Sequence, residues 1–240
     1  EISACLVGSE MCIRDSAHNE QDEIDACLFS IQACAHHPAL LDEAVQVVVV
    51  LDACDDDTAG RAAAMGISTL TVCARNVGTA RATGAEWLLS RGCRWLAFTD
   101  ADTRVSPDWL VAQLQLHADV VCGTVGVADE AWALHGQFAE SVRESFKVTY
   151  RDEDHHRHVH GANLGISADW YRRSGGFGAY PCGEDQRLVD QLLAVGAHVA
   201  WSASPRVLTS ARPTSRVEGG FATALRMAWA PSIGIDIVPT

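Results

Sequence analysis

The sequence predicts a three-layer α/β protein in which helices cover both faces of a mostly parallel central sheet. Two observations predict this fold class. Apolar, β-branched runs alternate with stretches whose apolar residues recur every three or four positions. In addition, 48% of the 240 residues are hydrophobic, which is enough for a full core. Because such alternation is typical of parallel strands joined by crossover helices, we expect a single domain built on this sheet.

The predicted elements alternate along most of the chain. Four apolar runs are predicted strands: 44–51, 67–73, 95–99 and 120–127. Four stretches with helical spacing are predicted helices: 20–35, 57–65, 78–91 and 106–118. Ser106 followed by Pro107 predicts a serine-capped start for the last helix. After a polar surface excursion, the chain is predicted to close with a strand, a helix and a strand: 162–167, 183–195 and 198–202.

The composition limits the partners and the location of the protein. A net charge of −13 with only 18 Lys and Arg residues argues against nucleic-acid binding, which needs clustered positive charge. No apolar run approaches the ~20 residues of a membrane span, and the N-terminus lacks the order of a signal peptide. The nine cysteines form no C-x-x-C pair and are expected as reduced thiols. We therefore expect a cytoplasmic protein.

Acidic residues follow two of the predicted strands. Asp52 ends the run 44–51, and Asp100 and Asp102 directly follow the run 95–99. Ligands of parallel sheets bind beyond the carboxyl ends of the strands, and two close carboxylates there can hold a divalent cation together with phosphate oxygens. The alternative is a solvated acidic turn, but the position directly after WLAFT favours the cation site.

Six motifs, in order, resemble those of family-2 glycosyltransferases, which have the Rossmann-like GT-A fold. They are AHNE at 17–20, VVVVLDACDDDT at 47–58, RNVGTARATGAEWLL at 75–89, WLAFTDADTRVSPDWL at 95–110, HGANLGISADWYRRSGGF at 160–177 and GEDQRLVDQLLAVG at 183–196. The resemblance covers about residues 17–210. It predicts one GT-A domain over 17–240, whose C-terminal end could be truncated. It implies sugar transfer from a UDP- or GDP-sugar to an acceptor hydroxyl, with Mn2+ or Mg2+ at Asp100 and Asp102.

The resemblance also implies the residues that contact the donor. The base and ribose pocket would be lined by Ala17, Asn19, Glu20 and Asp52, with Asp52 accepting a base N–H. The diphosphate would be met by Arg75, Asn76, Gly78 and Arg81. The donor sugar would lie above His160, Gly161, Ala162 and Asn163. Three of these assignments have alternatives: Glu20 as an acid near a helix N-terminus, and Arg75 and Arg81 as solvated helix-end charges.

The catalytic assignment follows from the motif at 183–196. Asp185 matches the family's catalytic base, which takes the acceptor proton in a single inverting displacement, and Glu184 would orient it or bind the acceptor. The alternative is that both acids merely open a helix. The segment Gln186–Asp190 does not supply the Q-x-x-R-W signature of processive synthases, so we expect single sugar additions. Arg212 or Arg216 would close over the diphosphate, unless both are loop charges.

Two other functions compete with this assignment. A sugar-phosphate nucleotidyltransferase shares the general fold and the metal, but it needs a glycine-rich, basic loop near the first strand, and AHNE offers none. The chain could also be an inactive nucleotide-sugar-binding protein whose first strand is lost. A metal site made by His155, His156, His158 and His160 is disfavoured, because neighbours in a polar loop rarely converge tetrahedrally.

Residues 1–16 do not fit the first strand that the family places before the AHNE turn. That strand is apolar, whereas Arg14 and Asp15 stand here, and charges are costly in a central strand that is buried on both faces. The segment resembles a spurious tail of translated adapter-like sequence, so we expect residues 1–16 to be non-native. The alternative is an authentic but unusual strand at 4–7 or 11–13.

Overall fold

A computed structural model describes residues 10–41 and 43–212 of the chain. The described residues form eight strands: β1 Glu10–Ala17, β2 Val45–Asp52, β3 Ser68–Val72, β4 Cys93–Asp100, β5 Thr103–Val105, β6 Val120–Val127, β7 Leu164–Ser167 and β8 Val199–Thr209. They also form seven α-helices: α1 Ile24–Ala35, α2 Thr58–Ala64, α3 Val77–Leu89, α4 Trp109–Gln115, α5 Ala139–Thr149, α6 Ala168–Ser174 and α7 Glu184–Ala194. Short 3-10 helices cover Pro38–Leu40 and Asp129–Phe138.

The eight strands form one mixed sheet in the order β3-β2-β1-β4-β7-β6-β8-β5. The first four are parallel, whereas β7 is antiparallel to both β4 and β6, and β5 is antiparallel to β8. β6 and β8 are parallel to each other, so the sheet that was predicted as mostly parallel is mixed because β7 and β5 run opposite to the other strands. After β6 the chain makes a long excursion that begins and ends at the same edge of the sheet. β7 starts at that edge and must run in the opposite direction.

Two apolar layers flank the sheet, which confirms the predicted three-layer architecture. α1 and α4 pack on one face through residues such as Leu28 and Trp109, and α3, α6 and α7 cover the other through residues such as Leu88 and Leu188. Along β4, successive residues alternate between the two layers: Trp95 and Ala97 face one, Leu96 and Phe98 the other. This double burial explains why the run WLAF is continuously apolar.

Most predicted elements are found within a few residues of their expected ends, but β8 runs on to Thr209 instead of ending at 202. The predicted serine cap at Ser106 is wrong, since α4 begins at Trp109 and the buried Ser106 hydroxyl has no hydrogen-bond partner. The expectation of reduced thiols holds for six described cysteines but is wrong for Cys93, which is disulfide-bonded. In the described part of the chain, no helix combines the length and apolarity needed to cross a bilayer.

The strand β1 occupies a central position in the sheet. Its backbone pairs in parallel with β2 on one side and β4 on the other, so that Ile13 lies opposite Val47 and Ala97. The strand β1 includes residues 11–13, one of the two ranges given for an authentic strand. The other range, 4–7, lies outside the described residues. The non-native origin of 1–16 stays a prediction.

Candidate active site

The predicted site residues gather at one edge of the sheet. The parallel order of β1 to β4 brings the segments that follow these strands together. β7 contributes its beginning to the same edge because it runs in the opposite direction, and α7 begins there as well. The segment after β8 completes the edge with Arg212.

Asp52 shapes the segment that follows β3. Its buried carboxylate accepts hydrogen bonds from the backbone N–H groups of Ala74, Arg75 and Asn76 at 2.8, 2.8 and 2.7 Å. Arg75 has a left-handed backbone with φ 48° and an exposed side chain. Asp52 therefore holds Arg75 at the edge of the site, a task that sequence reasoning did not assign to it.

The turn after β1 is fastened to the segment after β2. The Asn19 side-chain amide donates to Asp55 Oδ1 at 2.5 Å, and its oxygen accepts from the Asp55 backbone N–H at 2.9 Å. The backbone N–H of Glu20 donates to Thr58 Oγ1 at 2.9 Å. These contacts place Asn19 and Glu20, together with the buried Ala17, beside the end of β2.

Arg212 joins Glu20 to Asp102. Its Nη1 and Nη2 donate to the two carboxylate oxygens of Glu20 at 3.0 and 2.8 Å, and Nη2 also pairs with Asp102 Oδ2. Burial raises the pKa of Asp102 to about 6; Arg212 opposes this shift, and the negative charges of Asp100 and Glu20 add to it. The carboxylate of Glu20 thus pairs with Arg212 across the site, instead of acting only as an acid near the N-terminus of α1.

Arg81 lies beneath the site and contacts acids from two elements. It is 3% exposed, its Nη2 donates to Asp100 Oδ1 at 2.7 Å, and its Nη1 pairs with Glu184. Burial by itself lowers the pKa of Arg81, but Asp100 and Glu184 outweigh this effect and raise it above its usual value. Arg81 is therefore not a solvated helix-end charge, and both of its terminal nitrogens are engaged by acids instead of being open to a diphosphate.

Asn76 and Gly78 set the start of α3. Asn76 caps the helix by accepting the Thr79 backbone N–H at 2.8 Å, and its amide donates to the carbonyl of Tyr180 at 2.8 Å. A Cβ on Gly78 would collide with the backbone carbonyl of Gly178. The close approach that Gly78 permits is thus to the segment before α7.

Asp185 is held by two backbone groups. Its Oδ2 accepts the N–H of Gly161 at 2.9 Å, and its Oδ1 accepts the N–H of Gln186 at 2.8 Å. The side chain is partly exposed, whereas that of its neighbour Glu184 is buried against Arg81. The two acids that open α7 therefore face different surroundings.

His160 is fixed by Tyr150, a residue that sequence reasoning missed because no motif contains it. The Tyr150 hydroxyl accepts the Val125 backbone N–H at 2.7 Å and lies 3.0 Å from His160 Nε2. Burial lowers the pKa of His160 to about 4, an effect that Asp185 opposes. The rings of His156, His158 and His160 stack in sequence, with centroids 5.6 and 5.9 Å apart.

Asn163 is part of the core beneath the site. It is fully buried; its amide donates to the carbonyls of Thr124 and Pro205 at 2.7 and 2.9 Å, and its Oδ1 accepts Trp109 Nε1–H at 2.8 Å. The adjacent Ala162 is also buried. Asn163 thus ties β6, α4 and β8 together below the predicted sugar position.

Asp100 and Asp102 offer two carboxylates at the end of β4, each of which is paired with an arginine, Asp100 with Arg81 and Asp102 with Arg212. Over residues 10–41 and 43–212, no group of three or more His, Cys, Asp or Glu side chains could hold an ion. Mg2+ is commonly bound by one or two carboxylates together with substrate phosphates and water, and Mn2+ prefers the same ligands. The two carboxylates at the end of β4 supply such donors, and the Asp100 side chain is 34% exposed.

Comparisons with known proteins give a family and a fold. The sequence matches the model of Glycosyl transferase family 2 over residues 16–175. No curated protein sequence matches the chain significantly.

Several solved structures share the fold. Mannosyltransferase PcManGT from Pyrobaculum calidifontis, in complex with GDP-Man and Mn2+, is 16% identical with a TM-score of 0.63, over 95% of this chain and 65% of that one. S. aureus TarS 1-349 in complex with UDP-GlcNAc is 14% identical with a TM-score of 0.61, over 95% and 68%. GalNAc-T7 with UDP, GalNAc and Mn2+ is 13% identical with a TM-score of 0.59, over 90% and 45%. The chain thus spans about two thirds of the first two structures.

Proposed function

This chain belongs to Glycosyl transferase family 2, and from that membership we propose that it transfers a sugar from a nucleotide-diphosphate sugar to an acceptor hydroxyl. One observation carries the proposal. The edge at which the strands of the matched region end gathers Asp100, Glu184 and Asp185 around the single buried guanidinium of Arg81. Separate elements thus bring a candidate cation ligand and a candidate proton acceptor to one place.

A UDP- or GDP-sugar is the proposed donor. Structures of similar fold hold GDP-Man or UDP-GlcNAc. In this chain the base and ribose would lie over the turn after β1 and beside Asp52, and the exposed Arg75 would meet the diphosphate. Arg212 would also reach the diphosphate if it left its carboxylate partners.

Asp100 and Asp102 would hold Mn2+ or Mg2+. When bound, the ion would neutralise the diphosphate and stabilise it as a leaving group. Support comes from the hard oxygen donors at the end of β4 and from the Mn2+ in two structures of similar fold.

Asp185 is the proposed proton acceptor. In the proposed step the acceptor oxygen bonds to the anomeric carbon, the bond from that carbon to the diphosphate oxygen breaks, and the acceptor proton passes to the Asp185 carboxylate. A single displacement of this kind inverts the anomeric configuration. The N–H groups of Gly161 and Gln186 hold the carboxylate in place, and its partial exposure leaves it open to an acceptor. Single additions are proposed, since Gln186–Asp190 departs from the processive signature.

A donor panel tests the proposed function. Purified protein is incubated with UDP- and GDP-sugars, with Mn2+ or with a chelator, and nucleotide release is measured. We expect release with one donor class and only with the ion present. Release that is insensitive to the chelator would contradict the metal role, and no release with any donor would contradict the transferase.

Calorimetry of the Asp102→Ala variant tests the cation site separately. The variant should fold but lose the Mn2+-dependent part of its affinity for the donor nucleotide. Asp169→Ala, at an exposed position on α6, is the matched control and should bind like the wild type. Undiminished Mn2+-dependent affinity in Asp102→Ala would remove Asp102 from the cation site.

A further inference from the structure

The guanidinium of Arg81 lies at the junction of the two halves of the proposed site. On the donor side, Nη2 donates to Asp100 Oδ1 at 2.7 Å, at the end of β4. On the acceptor side, Nη1 pairs with Glu184, the first residue of α7 and the neighbour of Asp185. A planar guanidinium offers two arms in fixed geometry, so one side chain holds both acids at a set separation.

A second path connects Arg81 to Asp185 through Gly161. A Cβ on Gly161 would overlap the guanidinium of Arg81, so the backbone of Gly161 rests directly on it. The N–H of the same Gly161 donates to Asp185 Oδ2 at 2.9 Å. Arg81 therefore supports both the residue before Asp185 and the backbone group that orients its carboxylate.

Packing around Arg81 restricts its movement. Phe177 lies 5.7 Å from the guanidinium carbon, measured to the ring centroid. One turn earlier on α3, Gly78 lies against Gly178 and the Glu184 side chain. The helix α3, which carries Arg81, is thus fixed against the start of α7. A small shift of the guanidinium would therefore move both Asp100 and Glu184.

We propose that Arg81 is a positioning residue that sets the location of the Asp185 carboxylate relative to Asp100, and hence relative to the donor diphosphate. Arg81 is buried and acts through Glu184, Gly161 and Asp100 without touching the substrate. This inference rests on the proposed function, because it assigns Asp185 to proton transfer and Asp100 to the donor side.

Two variants disturb the guanidinium in different ways. Arg81→Lys keeps the positive charge, but an ammonium group lacks the planar fork that binds both acids. Gly161→Ala keeps Arg81 but places a methyl group where the guanidinium lies. Arg61→Lys is the matched control, because Arg61 pairs with Asp25 between α2 and α1, outside the proposed site.

The measurements are kcat per donor-binding site, donor Kd with Mn2+ by calorimetry, and melting temperature. Misplacing a catalytic group by about 1 Å can cost on the order of 10²-fold. We therefore expect kcat to fall ~10- to 100-fold in both variants, with donor Kd changed less than about 3-fold. A merely structural role would lower the melting temperature and the number of binding sites but leave kcat per site unchanged.

Near-normal kcat per site in both variants, beside an active wild type, would overturn the inference and leave the proposed function intact. Should neither variant fold, Glu184→Gln removes one charged arm while keeping the shape and the hydrogen-bond acceptor. An unchanged kcat in that variant would overturn the inference as well. A wild type that releases no nucleotide from any donor would instead overturn the proposed function, and the inference with it.

Discussion

At the scale of single residues, the fully buried Asn163 shows how the site depends on the core below it. Its side chain satisfies the indole N–H of Trp109 and the carbonyls of Thr124 and Pro205. Glycine is needed at position 123, because a Cβ there would overlap the Asn163 amide. The sequence motif HGAN marks this position, but it does not distinguish a residue beneath the sugar from one that ties strands together.

Asn163→Ala should destabilise the protein by about 3 kcal/mol, because it removes the side-chain partner of three buried polar groups. Urea unfolding of the variant beside Asn19→Ala, which changes a partly exposed asparagine, measures this difference. A loss below about 1 kcal/mol would show that the amide contributes little to the core.

Asp102, the proposed cation ligand, has a cost in stability. An unfolded Asp has a pKa near 3.9, whereas burial raises the pKa of Asp102 to about 6 in the folded protein. At a pH between these two pKa values, Asp102 is protonated in the folded protein but ionised in the unfolded chain. The ionised carboxylate therefore opposes folding fully above pH about 6, and this cost shrinks as the pH falls and is gone only below the unfolded pKa near 3.9.

Asp102→Asn should accordingly raise the melting temperature by a few degrees at about pH 8 in the presence of a chelator, and the gain should vanish at about pH 3.5, below the unfolded pKa. Thermal unfolding at both pH values checks this, with the exposed Asp169→Asn as control. A variant that is less stable at both pH values would show that the ion pair with Arg212 outweighs the burial of the charge.

At the scale of elements, β1 is the part of the fold that the sequence describes least well. The parallel strands β2 and β4 were predictable because they are apolar runs that are largely buried on both faces. Glu10–Ala17 carries no such run, and only the following AHNE turn indicates where the strand ends. The direction of β7 was not predictable either, because it follows from where the excursion 128–163 returns to the sheet.

Replacing residues 1–16 with an apolar strand that ends in Pro or Val should raise stability by several kcal/mol, the scale of a few restored aliphatic side chains. The reason is the central position of β1 between β2 and β4. Differential scanning calorimetry of the replaced and original chains is the measurement. An unchanged or lower melting temperature would favour an authentic strand.

At the scale of the whole molecule, the sheet gathers residues that are far apart in sequence. The sequence was enough to predict that acids follow the strands and that Asp185 lies near them, because motif order and the strand-end rule locate these residues. It could not predict the pairing of Arg81 with Glu184 or of Arg212 with Glu20, which join residues about 100 and 190 positions apart. Such pairings depend on side-chain burial that only the assembled fold defines.

Asp185 is proposed to accept the proton in an inverting sugar transfer at this edge of the sheet. The most direct test measures donor binding, turnover and product anomer for wild type and Asp185→Asn, with Asp190→Asn on the exposed side of α7 as the control. Asparagine keeps the shape and suits a helix start, but it cannot accept the proton. We predict that Asp185→Asn binds the donor with near-normal affinity and that its turnover is reduced by ~10² or more. The product of the wild type should have the inverted anomeric configuration by NMR. Near-normal turnover of Asp185→Asn, or a retained anomer, would contradict this proposal.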